Sequence, residues 1–180
     1  MRKHIMYFSI LIALLLLMTG CGESFASGGV FDGSKALVSE AKAGIKEITY
    51  DELKKKLEAG TLRVLIDLRE ASEFETGYIN QPDEDDEYPY PETFTVNIPR
   101  GLLEFKMGSE DYWNDELWVD MPAKDEEIVV YCKSGGRSAL AAHTLLQMGY
   151  TNVSSFNGGY RIWLDPTLPL EEDTGKDSGG

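Results

Sequence analysis

Residues 127–150 read EIVVYCKSGGRSALAAHTLLQMGY. The stretch Ile128 to Tyr131 is apolar, β-branched and of strand length. Six small or polar residues follow Cys132, and then Leu140, Leu145 and Met148 recur at helical spacing until Gly149 ends the pattern. A buried strand that runs through a glycine-bearing loop into a helix is the building unit of an α/β fold. In such sheets, ligands gather beyond the carboxyl ends of the strands. Cys132 stands at that end.

The loop Cys132-Lys133-Ser134-Gly135-Gly136-Arg137-Ser138 favours negative charge. The leading N–H groups of a helix have no partner within it and together carry about half a positive charge. Gly135 and Gly136 let the backbone curl so that several N–H groups share one centre, an anion-binding nest. Lys133 and Arg137 add full charges. A cysteine here is stabilised as the thiolate, the form that attacks. Ser134 and Ser138 can donate hydroxyl hydrogen bonds or cap the helix.

The rest of the chain narrows the chemistry. Arg2 and Lys3 precede an apolar run from Ile5 to Met18, followed by Thr-Gly-Cys. That is the layout of an export signal, and the run of 14 residues is short of the ~20 that cross a bilayer. The ending Leu17-Met18-Thr19-Gly20-Cys21 resembles a bacterial lipobox, with Met18 where leucine is usual. The resemblance implies cleavage of residues 1–20 and lipidation of Cys21. Gly22 after it points to the outer membrane in a host that has one. Cys132 is then the single free thiol in an oxidising compartment, and it has no partner in the chain for a disulfide. The formal charge is −14, and losing Arg2 and Lys3 but no acid makes it −16. Such a balance argues against nucleic acid and against a polybasic grip on lipid, leaving attachment to the membrane to the acyl chains.

Residues 21–44 are rich in Gly and Ser and read as a flexible linker. One folded domain is expected over 45–172, with 173–180 as a disordered tail. Thr49 and Glu52 have capping-box spacing ahead of Leu53 and Leu57, with Gly60 as the stop. Residues 62–68 form a mostly apolar strand and 71–77 a short helix. Residues 80–93 hold three prolines and six acids and read as an exposed insertion, with a partner or substrate gate or a weak Ca²⁺ site as the sharper alternatives. A strand over 94–99, two short helices over 100–107 and 111–120, a strand over 152–156 and a turn with a short helix over 157–164 complete the pattern. Strands alternating with helices predict a mostly parallel central sheet with helices on both faces.

Several chemistries drop out. His143 lies six residues beyond Arg137 on the same helix, about 9 Å along its axis, so a Cys–His protease pair is not expected. No second cysteine is available for a dithiol cycle, and clustered metal ligands are lacking. No cofactor is implied.

At this point the chain resembles a single-domain rhodanese, a sulfurtransferase. The resemblance rests on LIDLREASEFETGYI, VNIPRGLL, VVYCKSGGRSALAAHTLLQMGY and NVSSFNGGYRIWLDPTLPL, four motifs in order over residues 45–172. It implies that Cys132 takes the outer sulfur of a small anionic donor such as thiosulfate, forming a persulfide that a thiol or cyanide then collects. The persulfide anion would lie among the N–H groups of Lys133, Ser134, Gly135, Gly136, Arg137 and Ser138. Asp67 and Arg69 match the family's strand-end motif and are expected to organise the site. Arg137 is expected to brace the loop through backbone carbonyls and an acid, with Glu73 as the candidate, or alternatively to meet substrate. Tyr78 departs from the family's Gly-His-Ile, and the insertion is about fourteen residues longer than usual. The rival readings are a sulfur carrier or interaction module without turnover, and a phosphatase or arsenate reductase. The second of these uses a C-x5-R loop, one residue longer than Cys132 to Arg137.

Overall fold

The computed structural model of the chain describes residues 30–82 and 92–170. The leader 1–20, Cys21, residues 22–29, the acidic core of the insertion at 83–91 and the tail 173–180 lie outside the described residues.

Five strands form one sheet: β1 (Lys46–Ile48), β2 (Val64–Asp67), β3 (Phe94–Asn97), β4 (Ile128–Tyr131) and β5 (Val153–Phe156). Their order is β1-β5-β4-β2-β3, and every neighbouring pair is parallel. The expected architecture is present, and "mostly parallel" sharpens to wholly parallel. The central strands β2, β4 and β5 are buried at every residue. That explains their near-continuous apolar character, since strands covered on both faces need no polar alternation.

Alternate residues of each strand feed two separate cores. Val64, Ile66, Ile128, Val130 and Val153 pack with Leu103, Trp113, Ala141, Ala142 and Leu145 on one face. Leu65, Val129, Tyr131, Phe156 and Ile48 pack with Leu53, Leu62 and Ile162 on the other. The period-2 rule thus assigns the helices: α4 (Leu103–Lys106) and α5 (Gly136–Gln147) cover the first face, and α2 (Tyr50–Glu58) and α6 (Gly159–Leu164) the second. The remaining helices are α1 (Val30–Ala43) and α3 (Ala71–Phe74).

Local signals account for the helix ends. In α2 the Glu52 N–H donates to Thr49 Oγ1 at 3.3 Å and the Thr49 N–H donates to Glu52 Oε2 at 2.8 Å, the reciprocal box expected from the spacing. At its other end Thr61 N–H donates to the Lys56 carbonyl, and Gly60 takes φ +60, a glycine-assisted stop.

Three features differ from the sequence expectation. The second half of the segment read as a flexible linker is helix α1, whose Val38 and Ala41 bury against Ala139. Its apolar positions are few and short, so the helix shows only when a neighbour supplies the other half of the contact. Strand β1 was not foreseen, because three residues carry no readable period; its pairing with β5 makes it a strand. The helix expected at 111–120 is shorter and of π type, Tyr112–Glu116, in which Leu117 N–H reaches back five residues to the Tyr112 carbonyl.

The register of β2 against β4 matters most for function. Asp67 lies beside Tyr131, and Leu68 N–H donates to the Tyr131 carbonyl at 2.8 Å. Cys132 and Arg69 therefore begin neighbouring loops at the same end of the sheet.

Candidate active site

Cys132 follows β4 and is fully buried. Its Sγ receives the Gly135 N–H at 3.2 Å, a short contact for sulfur. Gly135 adopts φ +112, which an L side chain rarely takes, and it is the cap of α5. The first intrahelical bond of α5 runs from Ala139 N–H to the Gly135 carbonyl at 3.0 Å. The N–H groups of Gly136, Arg137 and Ser138 precede that bond, so they belong to the loop rather than to the helix ladder. Lys133 is exposed at the mouth and Ser134 half-buried. Of the loop residues named from the sequence, Gly135 aims its amide at the sulfur.

Ser138 is fully buried beneath the sulfur. The Cys132 thiol points at Ser138 Oγ across 3.7 Å, and the Ser138 hydroxyl donates to the Gly135 carbonyl at 3.0 Å. Ser155 on β5 donates to Ser138 Oγ at 2.8 Å. Sequence reading missed Ser155. The available signal was Ser154-Ser155 inside a strand otherwise apolar, because a hydroxyl buried there needs a partner.

Two glycines close the loop from the far side. Gly158 and Gly159 take φ +77 and +61. They turn the chain after β5 so that Tyr160 N–H donates to the Cys132 carbonyl at 2.8 Å and Arg161 N–H to the Lys133 carbonyl at 3.1 Å. A Cβ on Gly159 would lie 2.3 Å from the Cys132 carbonyl oxygen. The glycine pair is therefore the space in which the reactive loop is held.

Arg137 meets Glu73 of α3 in a forked pair, Nη1 to Oε2 at 3.0 Å and Nη2 to Oε1 at 3.2 Å. This is the acid named for it from the sequence. Glu73 Oε2 also takes the Glu70 N–H at 3.0 Å. Burial pushes the Glu73 carboxyl up, but hydrogen bonds from Arg137 and Glu70 and the charges of Arg137 and Arg69 outweigh it, leaving it below the ordinary range.

Asp67 and Arg69 lie one layer behind. Both are buried, and they pair through Nη2 to Oδ2 at 2.6 Å, with the Arg69 N–H on Oδ1 at 2.9 Å. The same guanidinium donates to the carbonyls of Glu73 and Gly77 and stacks 3.9 Å from the Tyr160 ring centroid. Burial pulls the Arg69 guanidinium down, and Asp67 more than offsets it, so the charge is held firmly. Tyr131, beside this pair, has its phenol pushed far up by burial and then by Asp67. Asn97, also missed from sequence, donates to the carbonyls of Asp67 and Arg69 at 3.1 and 2.9 Å. Tyr78 stacks on Phe74 at 4.3 Å. His143 meets Gln147 on α5.

Residues 49–166 match the family described as rhodanese-like domain. The chain belongs to that family. Among curated relatives of this rhodanese-like chain, a sulfurtransferase of Allochromatium vinosum is 29% identical over 126 residues, covering 70% of this chain and 94% of the relative. A mitochondrial protein of Schizosaccharomyces pombe, named provisionally as a thiosulfate sulfurtransferase, is 32% identical over 103 residues, 57% of this chain. The chain spans 63% of that relative's length. A human single-domain sulfurtransferase has a similar structure, with TM-score 0.56 and 26% identity over 68% of this chain and 97% of that one. Rhodanese-like relatives thus bear sulfurtransferase names, and one is named provisionally as a sulfur carrier.

Proposed function

We propose that this chain moves sulfane sulfur from thiosulfate or a similar small anion to a thiol or cyanide, through a persulfide on Cys132. The observation that carries the reading is the Gly135 amide on a buried Cys132 Sγ at the head of α5.

The steps balance without a base or cofactor. The Cys132 thiolate attacks the outer sulfur of thiosulfate; a sulfur–sulfur bond forms on Cys132 as the donor's own sulfur–sulfur bond breaks, and sulfite leaves with the electron pair. The product Cys–S–S⁻ carries one negative charge, as the thiolate did. Cyanide then takes the terminal sulfur as thiocyanate, or a thiolate takes it as its own persulfide, and the Cys132 thiolate returns. This is covalent catalysis in two half-reactions. The Gly135 N–H and the N–H groups opening α5 stabilise the sulfur anion, electrostatic preorganisation of the oxyanion-hole kind. Lys133, exposed at the mouth, draws an anionic donor to a chain that is otherwise strongly acidic. Arg137 does not face the donor in this reading; its pair with Glu73 holds the loop closed.

Mass spectrometry of the intact protein tests it. Thiosulfate should add one sulfur, ~32 Da, to the wild type and none to Cys132→Ser. Cyanide should remove the mass and release thiocyanate. A wild type that gains no sulfur overturns the reading. A sulfur carrier, the kind of protein one relative is provisionally named as, is the second reading. In that case the mass is gained but cyanide and small thiols do not remove it. Turnover of a phosphate monoester would instead support the phosphatase alternative, for which the C-x4-R ring is one residue short.

The same proposal includes export and lipid attachment through Cys21, supported by the basic start, the apolar run and the lipobox-like ending. Incorporation of a labelled fatty acid in the wild type and none in Cys21→Ser is the expected result.

A further inference from the structure

Ser138 has three partners. Its Oγ accepts the Ser155 hydroxyl at 2.8 Å and faces the Cys132 thiol at 3.7 Å, and its own proton goes to the Gly135 carbonyl at 3.0 Å. A hydroxyl offers one donor and two acceptor positions. Ser138 is therefore fully used while Cys132 keeps its proton. Cys132, Ser138 and Ser155 are each 0% exposed, so solvent does not compete for these positions.

Loss of the thiol proton changes what the sulfur needs. A thiol offers a proton to Ser138; a thiolate or persulfide accepts protons. The Gly135 N–H supplies one donor. The Ser138 hydroxyl supplies a second if its proton swings from the Gly135 carbonyl to the sulfur. That swing is inexpensive, because the Gly135 carbonyl keeps the Ala139 N–H at 3.0 Å and no buried acceptor is left bare. Ser155 continues to donate to Ser138 Oγ throughout. A hydroxyl that accepts a hydrogen bond is itself a stronger donor.

We propose that Ser155 is a positioning residue of this site: its hydroxyl holds Ser138 so that the Ser138 proton turns onto the anionic sulfur of Cys132. No bond between heavy atoms changes in this switch. The Cys132 proton leaves to solvent before attack, and Ser138 keeps its proton and re-aims it. The persulfide arm of the test rests on the sulfur-transfer reading; the thiolate arm does not.

The test uses the full chain with Ser155→Ala, Ser155→Thr, Ser138→Ala and the double variant Ser155→Ala/Ser138→Ala. The rate of iodoacetamide labelling is read on the peptide that contains Cys132, across pH 5 to 10. Ser155→Ala should slow labelling at pH 7 by about threefold to tenfold, the size of one hydrogen bond, and move the profile to higher pH. Ser155→Thr, which keeps the hydroxyl, should restore it. In the Ser138→Ala background, Ser155→Ala should add nothing, since it acts through Ser138. If Ser155→Ala does not fold, Ser155→Cys, near in size and a weak donor, gives the same comparison. Labelling unchanged from wild type, slowed equally at every pH, or slowed further in the double variant would each overturn the proposal. Sulfur loading from thiosulfate is measured in parallel. If labelling responds as expected while even the wild type takes up no sulfur, the sulfur-transfer reading falls and the role of Ser155 stands.

Discussion

Two loops leave neighbouring strands at one end of the sheet and handle buried polarity in opposite ways. After β2 the chain buries a carboxylate and a guanidinium that neutralise each other, and Arg69 also donates to the carbonyls of Glu73 and Gly77. After β4 it buries the Cys132 sulfur against the Gly135 amide at the head of α5. The first loop ties a buried ion pair to carbonyls of its own segment. The second aims a backbone amide at a buried sulfur. The two meet at Glu73, whose carbonyl is held by Arg69 and whose carboxylate holds Arg137 of the second loop.

The contrast can be broken from the β2 side first. Asp67→Ala leaves the buried Arg69 charge without its partner, and urea unfolding should show a loss of about 3–5 kcal/mol. Cys132 in the fraction that remains folded should label at the normal rate. A loss below 1 kcal/mol would mean that the clamp does not carry the fold.

Gly159→Ala attacks the other loop. Its Cβ would meet the Cys132 carbonyl oxygen at 2.3 Å, and φ there is +61. The cost to stability should be about 1–3 kcal/mol, with sulfur uptake, on the proposed function, reduced far more than that figure suggests, because the clash falls on the backbone of Cys132. Uptake equal to wild type in a folded Gly159→Ala would show that the close approach of α6 is dispensable.

The smallest effect tests the junction. Glu73→Gln removes a pair that is about a quarter exposed on each side, and it should cost about 0.2–1 kcal/mol at neutral pH. The Glu73 carboxyl is held below its ordinary value of 4.5. Its contribution is therefore present in full above pH 4.5 and fades as pH falls through the lower, folded value. Stability measured between pH 3 and 7 should converge for wild type and Glu73→Gln at the acid end. Curves that stay parallel would remove Glu73 from the acid dependence.

The legible parts of this molecule were the ones written in local patterns. The capping box at Thr49 and Glu52, the strand and helix on either side of Cys132 and the turn at Gly60 each lie within a few residues of the pattern that announces them. Glu73 was named for Arg137 although they are 64 residues apart, and the family resemblance of the segment 65–79, not any local period, carried that reading. Strand β1 and helix α1 were illegible for a shared reason: each is too short or too weakly patterned to stand alone, and each is made by its neighbour, β5 or Ala139.

What the sequence determined by itself was the strand, loop and helix around Cys132 and the capped helix α2, since strand periods, glycine positions and helix starts are properties of adjacent residues. The tertiary structure alone decided which polar groups reach that seat from other strands. Ser155 beneath Ser138, Asn97 across the β2 loop and Tyr160 on the Cys132 carbonyl are consequences of strand order and register. The order β1-β5-β4-β2-β3 comes from burying both faces of the sheet at once, a condition on the whole chain that no short stretch records.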